Sequence, residues 1–117
     1  MKERHAVPLV AVGGFFGATA RYGADVLFGS PMSTFAVNVV GCFALGYLLY
    51  SYRLDGFSER LRLLAATGFI SSFTTYSTFA HEVFVASPVF AVAYVAVSYA
   101  VGFSAVAVGA YTAGGYR

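Results

Sequence analysis

Hydroxyl-bearing side chains dominate one short segment of the chain, SSFTTYST at positions 71–78, where seven of the eight residues carry a hydroxyl. The segment stands between the apolar stretches LRLLAATGFI and FAHEVFVA, so its hydroxyls would lie at membrane depth. A helix can absorb a few hydroxyls by bonding serine and threonine to carbonyls one turn back. Seven in eight are too many for that purpose, and three of them belong to β-branched threonines, which weaken a helix. The sequence therefore predicts a helix broken near 71–75, and free backbone groups at such breaks commonly bind ions.

Two aromatic residues follow the predicted break. Tyr76 and Phe79 are three positions apart and therefore share one face of a helix. The edge of an aromatic ring is electropositive, so two ring edges can coordinate an anion without a full charge. The spacing also permits a simpler interpretation, in which the two rings only pack against each other.

Other apolar segments also carry polar groups, which are expensive in a membrane and usually face a cavity or a partner. Arg21 has Asp25 one turn later, which permits either an i,i+4 salt bridge or a fixed positive charge that draws anions into a vestibule. Asn38 is the one amide side chain in the sequence, and it could bond between helices or donate N–H groups to a polar path. Tyr94 and Ser98 share a helix face at i,i+4.

The elements that must position these residues are membrane-spanning helices. The chain is 59% hydrophobic and 10% charged, whereas soluble domains are about 25% charged. A spanning helix needs about 20 residues. Four apolar segments fit, and we expect them to form a single four-helix transmembrane domain, 1–117: residues 7–28, 34–52, 62–85 and 88–113. The predicted fold is an all-α membrane protein with a broken third helix, in which glycine pairs such as Gly13 and Gly17 allow close helix packing and suit an oligomer.

Basic residues are concentrated on one predicted side of the membrane. With four spans, both termini and the 53–62 loop share that side, which carries Lys2, Arg4, Arg53, Arg60, Arg62 and Arg117. The positive-inside rule therefore predicts cytoplasmic termini for a multi-pass protein of the cell membrane. The net charge of +2 gives no reason to expect nucleic acid as a partner. No nucleophile–base–orienter set can be assembled from these residues, which argues against an enzyme.

Four motifs, in this order, resemble the Fluc, or CrcB, family of fluoride channels: GGFFGATARYG (13–23), NVVGCFALG (38–46), GFISSFTTYSTFAHE (68–82) and YVAVSYAVG (94–102). The resemblance covers all four spans, and its second and third motifs are specific. It implies a small four-span protein that assembles as an antiparallel dimer with two fluoride pathways. Such a protein lets cytoplasmic fluoride leak out passively and so limits its toxicity. The implied partners are fluoride, membrane lipid and a second, homologous subunit.

The resemblance also implies roles for individual residues. Asn38 would be the pore amide, Phe79 would present its ring edge to fluoride, and Tyr76 occupies the place of a second such phenylalanine. Arg21 matches the arginine of the first-span motif, and the rest of the polar track would be Ser77, Thr78, Tyr94 and Ser98. The family holds a structural sodium ion at the dimer interface, whose carbonyl ligands would map to Ser71 and Thr74 of each subunit.

Two residues depart from the family pattern. Tyr76 stands where phenylalanine is expected, which adds bulk and a hydroxyl at a narrow point. Ser71 stands where glycine is expected, and serine is strained there if the break needs φ > 0. The basic bias is a third departure, because an antiparallel homodimer requires one sequence to insert in both orientations. We therefore expect either a homodimer or a heterodimer with a homologous subunit, in which this chain has a fixed orientation and Tyr76 degrades one pathway.

Two alternative functions fit the length and the span count. A small multidrug-type proton-coupled exporter needs a membrane-embedded carboxylate in its first span, where only Asp25 is available, while Glu82 is expected at the membrane interface. The other alternative is a largely non-conducting subunit of a heterodimeric fluoride channel, which requires Tyr76 to block flow.

Overall fold

The computed structural model describes residues 3–55 and 58–115, and all regular secondary structure in that part of the chain is helical. The helices are α1 (Glu3–Phe28), α2 (Met32–Asp55), α3 (Glu59–Arg62), α4 (Ser71–Phe73), α5 (Ser77–Val85) and α6 (Pro88–Ala110). Two π-helical segments complete the architecture, Leu63–Ile70 between α3 and α4 and Tyr111–Gly115 after α6. On the predicted basic side, Lys2, Arg117 and the side chain of Arg53 lie outside the described residues.

Helices occupy all four predicted spans. Two of these helices are long and apolar enough to cross a bilayer. Met32–Ser51 has a mean hydropathy of 1.7 and Pro88–Gly114 has one of 2.0. The first predicted span is helical as well, but it carries Arg21 and Asp25. The third predicted span consists of α3, the first π-helical segment, α4 and α5, and is interrupted between α4 and α5.

The turns between the helices follow from the local sequence. Gly29 has a φ of 74°, a left-handed conformation that favours glycine, and it ends α1. Ser87 caps α6 by accepting a hydrogen bond from the Phe90 N–H (3.4 Å). Pro88 occupies the start of α6, where a missing N–H costs little.

The third span is broken, as the sequence predicts, but the break lies at residues 74–76 and not at 71–75. Thr74 has extended backbone (φ −83°, ψ 162°), and the helix resumes at Ser77. Residues 71–73 stay helical, and the Thr74 N–H still donates to the Ile70 carbonyl (3.0 Å). The Ser71 hydroxyl also donates to the Thr67 carbonyl, and the Thr74 hydroxyl donates to the Ile70 carbonyl (2.9 Å). Ser71 itself has a φ of −66°, so serine causes no left-handed strain in place of glycine.

Glycines bring the helices into close contact. A Cβ on Gly17 would overlap the Phe69 carbonyl, so α1 packs directly on the π-helical segment Leu63–Ile70. A Cβ on Gly46 would overlap the Val106 carbonyl, so α2 packs equally closely on α6. This is the close packing that the sequence predicted for the glycines of the spans.

Large apolar side chains cover the outside of the described chain. Leu27 is 79% exposed, Phe84 is 86% exposed and Val89 is 83% exposed. Among the described residues, the buried hydrophobic side chains are only Val37, Ile70, Phe79 and Tyr94. Apolar surface of this extent faces lipid or a protein partner instead of water. The chain is a membrane protein.

Candidate ion pathway

Asn38 on α2 is hydrogen-bonded to both backbone groups of Thr75, in the break of the third span. Its Nδ2 donates to the Thr75 carbonyl (3.0 Å), and its Oδ1 accepts from the Thr75 N–H (2.8 Å). These two bonds determine which atom of the amide is oxygen and which is nitrogen. The two segments approach this closely because Gly41 has no side chain, and a Cβ there would overlap the Thr74 side chain.

A cavity of about 300 Å³ adjoins Asn38 between α2, the break and α6. We call it the aromatic cavity, and its lining includes Asn38, Tyr76, Phe79, Ser98 and Tyr99. None of the described residues that line it carries a formal charge. The Ser98 hydroxyl is buried and makes no hydrogen bond within the described part of the chain. One Nδ2 hydrogen of Asn38 also remains after the bond to Thr75, so two neutral donors beside this cavity have no partner within the described part of the chain.

Phe79 lies at the centre of a group of tyrosines. It is 9% exposed, and its ring centroid lies 5.0 Å from that of Tyr94, 6.2 Å from that of Tyr99 and 6.3 Å from that of Tyr76. The rings of Phe79 and Tyr99 stand at 85° to each other, an edge-to-face arrangement that fixes ring orientation. Tyr76, in contrast, is 73% exposed. Tyr76 and Phe79 therefore line one cavity. Phe79 is packed among other rings of the same chain, whereas most of the Tyr76 side chain is exposed.

A second cavity, of about 250 Å³, contains the charged residues. We call it the vestibule, and its lining includes Arg21, Asp25, Ser33, Thr34, Thr75 and Thr78. Asp25 Oδ1 accepts a hydrogen bond from the Ser33 hydroxyl (2.9 Å). Arg21 makes no ion pair with Asp25 in the described structure, so the interpretation of these two residues as an i,i+4 salt bridge is wrong. The guanidinium charge is left to act on the vestibule.

Thr75 lines both cavities and is 8% exposed. Its Oγ1 accepts from the Thr78 N–H (3.2 Å) and lies 3.5 Å from the Ser77 hydroxyl. The predicted track residues Ser77 and Thr78 thus stand beside the one described residue that lines both the aromatic cavity and the vestibule. Sequence reasoning counted Thr75 as part of the hydroxyl tract but did not single it out.

Glu82 on α5 accepts hydrogen bonds from hydroxyls of three other segments. Thr34 donates at 2.8 Å, Tyr94 donates at 2.7 Å, and Ser30 donates as well. The hydroxyl of the predicted track residue Tyr94 is therefore used by a carboxylate in this structure. Sequence reasoning expected Glu82 at the interface and missed Thr34. A carboxylate late in an apolar span was the available signal, since such a group needs donors close by.

The Ser71 and Thr74 carbonyls lose the helical donors that a continuous third span would supply. The Thr75 N–H, four residues after Ser71, donates to Asn38 Oδ1. The Thr78 N–H, four residues after Thr74, donates to Thr75 Oγ1. Carbonyls at the end of a helix carry partial negative charge, and hard cations take oxygen ligands. These two carbonyls fit the sodium ligands that the resemblance implies.

Comparisons with known proteins identify the family of the chain. Residues 8–110 match the family described as CrcB-like protein, Camphor Resistance (CrcB). A relative from Natronomonas pharaonis, named fluoride-specific ion channel FluC 1, is 53% identical over 111 residues, 92% of each chain. A protein of the same name from Haloarcula marismortui is 49% identical over 104 residues, 88% of this chain and 81% of the relative. A fluoride-specific ion channel FluC from Methanocaldococcus jannaschii is 46% identical over 81 residues, 66% of this chain and 65% of the relative. The chain belongs to the CrcB family, as its four motifs predicted.

Proposed function

We propose that this protein is a fluoride-selective channel that exports cytoplasmic fluoride passively and so limits fluoride toxicity. The observation that carries the proposal is the pair of cavities that share Thr75, one with fixed charges and one with neutral donors and aromatic rings. The relatives' printed names support fluoride as the ion. The family is one of ion channels, so the chain is not an enzyme.

The two cavities suit successive steps of anion passage. Arg21 in the vestibule attracts an anion by charge, and the hydroxyls of Thr75 and Thr78 replace part of its water shell. Ser77 lines neither cavity and acts only through Thr75, 3.5 Å from its hydroxyl. In the aromatic cavity the remaining donors are the free Asn38 N–H and the Ser98 hydroxyl, beside the ring of Phe79. Fluoride is small and strongly hydrated, so several weak neutral contacts in sequence can replace water without trapping the ion.

A structural sodium ion belongs to this proposal. The carbonyls of Ser71 and Thr74 would hold it, from each of two subunits, because the break deprives both of their helical donors. When bound, the ion supplies a positive charge that favours an anion in the same interior. The hydroxyls of Ser71 and Thr74 bond back to their own helix, which leaves the carbonyls as the cation ligands.

The functional unit in this proposal is an antiparallel dimer with two pathways. Tyr76 lines the aromatic cavity yet is 73% exposed, which supports a second subunit that completes the cavity wall. The bias of basic residues toward one predicted side supports cytoplasmic termini and a fixed orientation. The second subunit is either another copy of this chain or a homologous partner inserted the other way round, in which case the Tyr76 hydroxyl would narrow one pathway.

Fluoride efflux from liposomes that contain only this protein tests the function. Discharging a potassium gradient with valinomycin should release fluoride to an external electrode within seconds, while chloride-loaded liposomes release little. Asn38→Asp should suppress the release, since a carboxylate would then face the anion path. No release from the single protein, with release restored by a homologous subunit, would identify this chain as half of a heterodimer.

The same liposomes separate a channel from a proton-coupled exporter. Efflux through a channel should be unchanged when a protonophore collapses the proton gradient. Strict dependence on that gradient would refute the channel and would direct attention to the membrane carboxylates Asp25 and Glu82.

A further inference from the structure

We propose that Asn38 is the positioning residue that keeps the third span broken, and that through Thr75 it couples the anion path to the cation site. The inference rests on the proposed function and assigns this amide a second role beside that of a pore donor. The bond from Thr75 to Asn38 Oδ1 takes the one N–H that a continuous helix would give to the Ser71 carbonyl. One side chain thus frees an oxygen for a cation and, at the same time, stands in the wall of the aromatic cavity.

The geometry of the amide permits both roles at once. Oδ1 is used by the Thr75 N–H, and one Nδ2 hydrogen is used by the Thr75 carbonyl, which together satisfy both backbone groups of a residue outside any helix. The second Nδ2 hydrogen is the one left for a ligand. Because both bonds orient the amide, the free N–H has a fixed direction, and any loosening of the break would also move it.

The surrounding residues hold Asn38 in register with the break. Val37, next to it on α2, is 2% exposed, which limits rotation of this part of the helix. Gly41, on the same face one turn later, lets the Thr74 side chain lie against α2. No other amide exists in the chain to replace Asn38 in this role.

Threonine-selective ¹³C NMR of the reconstituted protein tests the inference without any flux measurement. In the wild-type protein the Cα and Cβ shifts of Thr74 should have extended values, in line with its ψ of 162°. Asn38→Leu should move them toward helical or averaged values. The matched control is Ser98→Ala, which removes the other neutral donor of the aromatic cavity but has no bond to the break, and it should leave these shifts unchanged.

Asn38→Asp provides a milder variant if the leucine protein does not fold. A carboxylate can still accept from the Thr75 N–H but cannot donate to the Thr75 carbonyl, so the carbonyl ¹³C shift of Thr75 should change. In sodium titrations of thermal stability, the half-saturating sodium concentration should rise about tenfold in Asn38→Leu, because the Thr75 N–H is then free to return to the Ser71 carbonyl. It should not rise in Asn38→Asp, which keeps the bond to that N–H. Ser98→Ala should keep the wild-type concentration.

Unchanged Thr74 and Thr75 shifts in the Asn38 variants would overturn the inference and leave Asn38 as a pore donor only. An unchanged half-saturating sodium concentration in Asn38→Leu, or a raised one in Asn38→Asp, would overturn the coupling to the cation site. Absence of fluoride flux both in the wild-type protein alone and with a homologous subunit would instead count against the proposed function, and the NMR shifts would still decide whether Asn38 holds the break.

Discussion

The vestibule and the aromatic cavity meet at Thr75 but differ in how they can act on an ion. The vestibule contains full charges, Arg21 and Asp25, and through Thr34 it lies next to Glu82. The aromatic cavity contains rings, hydroxyls and one amide, and no charged group among its described lining residues. A positive charge attracts all anions alike, and added salt screens this attraction. How well neutral hydrogen-bond donors hold an ion depends instead on the size and hydration of that ion. In the function proposed above, the vestibule would therefore attract the anion and the aromatic cavity would select it.

The largest effect should come from Phe79, the buried ring of the aromatic cavity. Phe79→Ile keeps an apolar side chain but removes the electropositive ring edge and its contacts with Tyr94 and Tyr99. Fluoride flux should fall by at least about tenfold, since each ~1.4 kcal/mol of lost ion stabilisation costs a factor of ten. Phe84→Ile, on the same helix but 86% exposed, is the matched control and should conduct normally. Equal flux in both variants would remove Phe79 from the selective step.

Thr75 should give the next largest effect, because it belongs to both cavities. Thr75→Val keeps the shape but deletes the hydroxyl that accepts from the Thr78 N–H. We expect flux to fall by roughly five- to tenfold, consistent with the loss of about one hydrogen bond in a buried site. Thr19→Val is the control, since the Thr19 hydroxyl bonds only to the Phe15 carbonyl and is exposed, and it should leave flux unchanged. A silent Thr75→Val would mean that ions do not pass between the two cavities at this residue.

Arg21 should have a smaller effect that depends on salt. Arg21→Gln removes the charge of the vestibule and should reduce fluoride flux severalfold at low ionic strength, with wild-type and variant rates converging at high salt. The ratio of fluoride to chloride flux should stay constant. A changed ratio would contradict the division of labour between the two cavities, because selection would then also occur in the vestibule.

Asp25 should give the smallest effect, and one of opposite sign. Its carboxylate shares the vestibule with Arg21 and is held by Ser33, so it weakens the attraction of anions. Asp25→Asn should raise fluoride flux by about twofold at low salt and have no effect at high salt. Fluoride-electrode recordings of efflux at two ionic strengths measure this effect. A decrease in flux would show that Asp25 favours anion entry into the vestibule, contrary to the prediction.

Sequence reasoning succeeded where the signal was local. The hydroxyl tract predicted the break, and the motifs identified the family. The spacing of Tyr76 and Phe79 predicted a common helix face; Tyr76 lies just before α5, and both residues line the aromatic cavity. The break was predicted near 71–75 and begins only at Thr74, since the helical bond from the Thr74 N–H to the Ile70 carbonyl still forms. Nothing in the local sequence marked Leu63–Ile70 as a π-helix.

Contacts between distant segments could not be predicted. The bonds between Asn38 and Thr75 depend on the register of α2 against the third span, which no local pattern specifies. The same holds for Glu82, whose donors come from residues 12 to 52 positions away. The spacing of Arg21 and Asp25 permitted a salt bridge, but Asp25 bonds with Ser33 from the next helix.

Selection in a charge-free cavity is the central claim, and a reversal potential tests it most directly. The purified protein would be recorded in a planar bilayer with fluoride on one side and an equal concentration of chloride on the other. The account predicts a reversal potential set by fluoride alone, one that is retained in Arg21→Gln and shifted toward zero in Phe79→Ile. A potential near zero in the wild-type protein, or one abolished by Arg21→Gln and unaffected by Phe79→Ile, would contradict it.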